Sequence, residues 1–259
     1  MLEELNLADN RITDVSLPAI IEALPGCKHL RRINLSDNKI DSLASDALNT
    51  LLSTAREIDT LILKRADVDD AETARWVETI ATQATVKHLD LTENLIGSHE
   101  VRAFQPLELT GGQALAKLLS REACSLETLS LGWNMIRFKS GDAVAHSIAL
   151  NQSLTHLDLS FNSLDESGGE IIGASLMQNN SLLHLNLENN NITARACVSI
   201  STGLRAWNSR LETLNLRHNP IGERGCRAIM GLKMGLGSSA ADVDISDCAV
   251  RLAAPTCWF

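Results

Sequence analysis

The 259-residue chain has no tyrosine, and only 3% of it is aromatic. A core with so few rings must be aliphatic. Positive charge is also in deficit. Asp and Glu number 32 against 23 Lys and Arg, a net charge of −9. Sequence-independent nucleic-acid binding and docking on anionic membranes both need clustered positive charge, so neither is expected. No apolar run approaches the ~18 residues of a spanning helix, and none is expected. The start, Met1-Leu2-Glu3-Glu4-Leu5, has neither the basic nor the apolar segment of a secretory leader. Cysteines stand at 27, 124, 197, 226, 248 and 257, with no C-x-x-C pair and no zinc spacing. These absences point to a reducing intracellular setting, the cytoplasm, with thiols packed as small hydrophobes. The sequons at Asn151, Asn179 and Asn191 then read as chance matches. There is no phosphate-binding glycine loop, because Gly111-Gly112 and Gly168-Gly169 fall at helix starts. No cofactor or metal is expected.

What the chain does have is a repeat. The template L-x-x-L-x-L-x-x-N-x-I fits Leu2-Leu5-Leu7-Asn10-Ile12 and Leu30-Ile33-Leu35-Asn38-Ile40. It fits Ile58-Leu61-Leu63 with Ala66 in place of Asn, and then Val86-Leu89-Leu91-Asn94-Ile96. Further copies are Leu126-Leu129-Leu131-Asn134-Ile136, Leu154-Leu157-Leu159-Asn162-Leu164, Leu182-Leu185-Leu187-Asn190-Ile192 and Leu211-Leu214-Leu216-Asn219-Ile221. A ninth, degenerate copy is Val243-Ile245-Cys248-Val250. The steps between copies are 28, 28, 28, 40, 28, 28, 29 and 29 residues.

Each fixed position has a physical reason. The L-x-L pair reads as a short strand with both leucines on one face. The Asn turns the chain, and its amide is expected to bond to backbone groups of its own turn and of the next coil. Between templates, apolar residues recur at three and four, as in 46–52, 72–77 and 141–146, which reads as helix. One coil cannot bury its apolar face alone, whereas stacked coils bury a continuous core. Helices are wider than strands, so the stack should curve with parallel strands on the concave face and helices on the convex face. Trp76 and Trp207 fall on the helical halves and read as packing residues, as do Cys197 and Cys226.

A period of 28–29 residues with a full helix per copy resembles the ribonuclease-inhibitor-like subfamily of leucine-rich-repeat proteins. The resemblance covers essentially the whole chain. It implies an α/β horseshoe solenoid of about nine repeats, a single domain over 1–259. It says little about function, because the template residues are structural.

Two departures from the template matter. The step of 40 holds about 12 extra residues in the fourth repeat, roughly Gly97–Thr110, including Phe104, Pro106 and Leu107. Such insertions map to loops on one face, either plain excursions or part of a binding surface. The ends are the other departure. Met1 begins directly on a strand template, which suggests that a cap, a further domain or a partner covers that edge. At the far end, Gly231–Ala241 is rich in Gly and Ser, and about 236–259 reads as a degenerate repeat or cap.

Candidate binding residues lie at the variable positions of the strand template. The column before the Asn reads Asp9, Asp37, Arg65, Glu93, Trp133, Phe161, Asn189, His218 and Asp247. With strands about 4.8 Å apart, Trp133 and Phe161 should touch. Exposed central aromatics are typical anchors for a protein partner, although these two could also lean on Met135, Arg137 or the insertion. Arg31, Arg32, Lys64 and Arg65 form a basic spot flanked by Glu3, Glu4, Asp9, Asp90 and Glu93. It reads as cross-strand pairing or as part of a partner footprint. His88-Leu89-Asp90 and His156-Leu157-Asp158, with His184 beside His156, mimic a His–Asp dyad or a metal site. Their shared repeat register explains them by duplication, and no nucleophile stands beside them.

The function these features imply is a non-catalytic protein-interaction scaffold, binding through the concave face at Trp133, Phe161, His156, His184, Arg65, Lys64 and Arg32. Two alternatives stand beside it. One is a GTPase-activating protein of the Ran-type leucine-rich-repeat class. The other is a structural subunit of a large ciliary or organellar assembly, or a piece of a longer chain.

Overall fold

The structure is a computed structural model, and it describes residues 2–13, 15–98, 109–205, 210–236 and 241–248. Phe104, Pro106, Leu107, Trp207 and the tail 249–259 fall outside those residues.

Nine three-residue strands form one parallel sheet in chain order. They are β1 (Glu4–Asn6), β2 (Arg32–Asn34), β3 (Thr60–Ile62), β4 (His88–Asp90), β5 (Thr128–Ser130), β6 (His156–Asp158), β7 (His184–Asn186), β8 (Thr213–Asn215) and β9 (Asp242–Asp244). Helices α1 (Ser16–Ala23), α2 (Ser42–Thr54), α3 (Asp70–Gln83), α4 (Gly111–Leu119), α5 (Phe138–Leu150), α6 (Asp165–Leu176), α7 (Ala194–Leu204) and α8 (Gly222–Leu236) alternate with them. The expected α/β solenoid is therefore what the chain forms. Helix α8 runs through much of the Gly/Ser-rich stretch, and the degenerate ninth copy still pairs in register with β8.

The register follows the template. Ile33, Leu61, Leu89, Leu129, Leu157, Leu185 and Leu214 pair in sequence across the sheet and are all buried. In the fifth coil the four apolar template residues Leu126, Leu129, Leu131 and Ile136 are fully buried, each worth about 1.5–3 kcal/mol. The insertion leaves the register untouched, since His88 pairs with Thr128.

The template asparagines form a ladder, with one correction to expectation: they reach back to the preceding coil, not on to the next. Asn38 Nδ2 donates to Leu7 O (2.8 Å) and to Leu35 O and Ser36 O of its own turn (both 3.1 Å). Its Oδ1 accepts Ile12 N–H at 2.9 Å. Asn94, Asn134, Asn162, Asn190 and Asn219 repeat the reach to the coil before. The reason is directional, because the turn carries each Asn inward beneath the strand end that was laid down first. In the third coil the deviant Ala66 is buried, and its carbonyl accepts the Ile40 N–H (2.9 Å) that an Asn would have taken.

A second Asn ladder runs at the helix ends. Asn151 donates to Leu119 O (2.8 Å), and Asn179 to Ile148 O (2.7 Å). Both are buried, so these two sequons mark structural amides that no glycan can reach. Helix starts are capped by Asp41, by Asp69 with Glu72, and by Thr110 with Gln113. Trp76 is buried and donates to Ser45 O (3.2 Å), the packing role expected of it.

Candidate functional site

The strand face is built from columns, one residue per coil. In the middle column stand Asn6, Asn34, Asp90, Asp158, Asn186, Asn215 and Asp244. In each, the side-chain oxygen accepts the backbone N–H two residues on, at 2.8–3.1 Å. This Asx turn ends the strand. It gives the His-x-Asp pairs a structural origin: Asp158 holds Ser160 N–H (2.8 Å), while His156 Nδ1 bonds Thr155 Oγ1 (2.9 Å).

The next column is the one before the template Asn. All nine of its residues have positive φ, from 50° to 60°. The seven from Asp9 to Asn189 donate their N–H to the next coil, as Trp133 does to Ser160 O (2.9 Å) and Phe161 to Glu188 O (2.8 Å). The ladder thus holds this column left-handed whatever side chain it bears. Asp, Asn and His tolerate that conformation better than bulky residues do. Asp9, Asp37, Asn189, His218 and Asp247 suit it. Arg65, Glu93, Trp133 and Phe161 do not, and they occupy four successive coils.

These four form one row. Trp133 and Phe161 stack with ring centroids 3.9 Å apart and planes 10° from parallel. Trp133 is still 54% exposed. Leu95 on the fourth coil, and Met135 and Phe138 on the same coil as Trp133, are exposed as well. The expected contact between the two aromatics is therefore made.

Arg65 pairs with Asp37 (2.5 Å) and Glu93 (3.4 Å), and Lys64 with Glu93 (2.7 Å). The Arg65 guanidinium holds the Asp37 carboxyl below its ordinary range, and Lys64 does the same to Glu93. Arg31 sits 3.7 Å from Glu57, and Arg32 is exposed on β2. Exposed pairs of this kind contribute little to stability, because water screens them. His156 and His184 stack at 4.2 Å, and His184 Nδ1 lies 2.8 Å from Thr213 Oγ1. Burial first, then the nearby His184 and His88, push the His156 pKa down. Among the described residues no cluster of three or more His, Cys, Asp or Glu could hold a metal ion.

One contributor was missed in the sequence. Asp70, buried at the start of α3, accepts Gly97 N–H (2.8 Å) and Gly111 N–H (2.6 Å) on the same Oδ1. A single carboxylate therefore pins both feet of the insertion. In the sequence Asp69-Asp70 reads only as a helix start, and nothing in it signals a contact 41 residues away. The left-handed column was legible in principle, since Asp9, Asp37, Asn189 and Asp247 share that position.

Sequence models of two repeat families match. "Leucine Rich repeats (2 copies)" matches residues 1–50, and "Leucine Rich repeat" matches 150–173, 178–201 and 208–230. No curated protein matches. Among solved structures, a Caenorhabditis elegans tropomodulin C-terminal domain is similar at 14% identity and TM-score 0.40, covering 68% of this chain and 83% of that one. The leiomodin-1 actin-binding site 2 is similar at 16% identity and TM-score 0.44, covering 72% and 85%. Neither likeness is close enough to speak to function. No described helix is long and apolar enough to cross a membrane.

Proposed function

The chain is a leucine-rich-repeat protein, and we propose that it is a non-catalytic scaffold holding a protein partner on its concave strand face, centred on Trp133 and Phe161. One observation carries this reading. In a column whose backbone favours Asp or Asn, two adjacent coils spend that position on stacked aromatics, Trp133 exposed and Phe161 half-buried. Side chains kept against local preference, with no core to fill, mark a place selected for contact. The flanking Leu95, Met135 and Phe138 supply the apolar area that makes an aromatic anchor effective. Arg65, Lys64, Arg32, His156 and His184 lie on the same face and form the polar surround.

Affinity capture with the wild-type chain, compared with Trp133→Ala, Phe161→Ala and Arg65→Ala, tests this. The aromatic variants should lose the partner at least tenfold, as central anchors do, and Arg65→Ala should lose less. Undiminished capture by folded aromatic variants would place the interface elsewhere.

A further inference from the structure

We propose that the partner presents a carboxylate next to an apolar side chain, received by the Arg137 guanidinium and the exposed ring of Phe138 where α5 begins. The inference rests on the concave-face reading and names the chemistry that docks at the rim of that face.

Arg137 stands four residues beyond Trp133, in the segment that leads from β5 into α5. Helices α2, α3, α4 and α7 also start after a residue with extended backbone, namely Asp41, Asp69, Thr110 and Thr193. The first three cap their helices, and the Thr193 hydroxyl bonds Glu166. Arg137 holds that place before α5 with the same extended backbone, and its side chain makes no cap bond. A cation there opposes the helix dipole, so the needs of α5 do not account for it. Phe138, the next residue, is held at a φ of 47° and is exposed. Like Trp133, it is an aromatic kept in water against the preference of its backbone.

The guanidinium is packed but unanswered. Arg137 Cζ lies 5.4 Å from the centroid of the Phe138 ring, and Nε is buried without an acceptor. Among the described residues no carboxylate meets its terminal nitrogens. Asp165, in the same template place one coil on, is held by Asn191 Nδ2 (2.7 Å). Asp142, further along α5, accepts from Ser167 Oγ (3.2 Å). Cations of the strand face are treated differently: Lys64, Arg65, Lys87 and Arg217 each meet a carboxylate at 2.5–2.9 Å. Lys139 is exposed and also has no ionic partner among the described residues. A chain with a net charge of −9 thus keeps two cations at one helix start without an anion between them. A guanidinium can receive a carboxylate through two parallel bonds.

The apolar half of the occupant follows from the neighbours. Met135, two residues before Arg137, is exposed. Leu95 is exposed in the same template place on the fourth coil, and Met135 N–H donates to Ile96 O there (2.8 Å). An ion pair in open water is weak, and apolar groups that shut water out strengthen it. An acidic residue beside a leucine or phenylalanine supplies both parts.

The probe is Ac-Gly-Leu-Glu-Leu-Glu-Gly-amide at millimolar concentration, compared with its glutamine version, its lysine version and a version with serine for leucine. The readout is the set of backbone amide signals of Met135, Phe138 and Lys139. The glutamate peptide should shift them saturably. Glutamine for glutamate, or Arg137→Gln in the protein, should each weaken binding about tenfold. Combined, they should lose little more than either alone, because both remove the same pair. Serine for leucine should weaken binding severalfold. No shift with the glutamate peptide, equal binding of the glutamine, lysine or serine version, or full binding by a folded Arg137→Gln would overturn the proposal. Partner capture separates the two readings. A partner lost by Trp133→Ala but kept by Arg137→Gln removes the acidic contact and leaves the face. A partner kept by both removes both.

Discussion

Trp133 is held at a φ of 55° by the inter-coil ladder, and its indole gains the Phe161 stack in return. The left-handed conformation costs a non-glycine residue roughly 1–2 kcal/mol, and an aromatic pair gives back about 0.5–1.5 kcal/mol. These nearly cancel. Trp133→Gly should therefore melt within a few degrees of wild type in a calorimetric scan while abolishing partner binding. A large drop in melting temperature would make Trp133 a structural residue. The template asparagines should behave oppositely. Asn162 donates to Leu131 O, Leu159 O and Ser160 O, and accepts Ile136 N–H, all out of water. Asn162→Ala leaves buried groups unpaired in two coils and should cost about 3 kcal/mol or more in denaturant unfolding. Asn191→Ala, at an exposed but left-handed position, should cost less, about 1 kcal/mol.

Among the helices, the α3 capping box carries an unusual acid. Glu72 Oε2 accepts Asp69 N–H (3.3 Å). Burial first, then the neighbouring Asp69, raises its pKa from 4.5 to about 7. A carboxyl whose folded pKa is raised is easier to protonate in the folded state. Its contribution to stability is thus fully present below pH 4.5 and lost as the pH rises through 7. Thermal melts from pH 4.5 to 8 should show wild type losing stability over that window relative to Glu72→Gln. A constant difference between the two would contradict the shift. Nearby, α3 also tethers the insertion through Asp70, so the fourth coil keeps the sheet register of its neighbours despite its greater length.

As a whole molecule, the solenoid is held by contacts between successive coils, strand to strand and helix to helix. A fault at one junction should therefore divide it. Helices α6 and α7 meet at Gly173, where a Cβ would come within 2.4 Å of Ser199 C and 2.5 Å of Ile200 N. The atoms it meets belong to the Ser199–Ile200 peptide backbone, so no rotamer change relieves the clash. Gly173→Ala should turn a single denaturant transition into two, with coils seven to nine unfolding first. Hydrogen exchange resolved by coil would show this directly. A uniform loss of protection along the chain would mean the stack is cooperative across that junction.

The sequence by itself determined the repeat, its register and the apolar core, because each template residue answers to a local rule that recurs every 28 or 29 residues. It also determined that Trp133 and Phe161 share a column, and strand spacing then brings them together. Tertiary structure decided what the columns mean. Only the stacked coils show that one column is left-handed throughout, and that the Asp of each His-x-Asp pair ends a strand. Only they show the asparagines reaching backward, and Asp70 gathering Gly97 with Gly111. Apart from the Asx turns, which span two residues, these features rest on hydrogen bonds between residues 26 to 43 apart in the chain. A repeat template records which residues recur, but which backbone groups they meet is set by the geometry of one coil lying on the next.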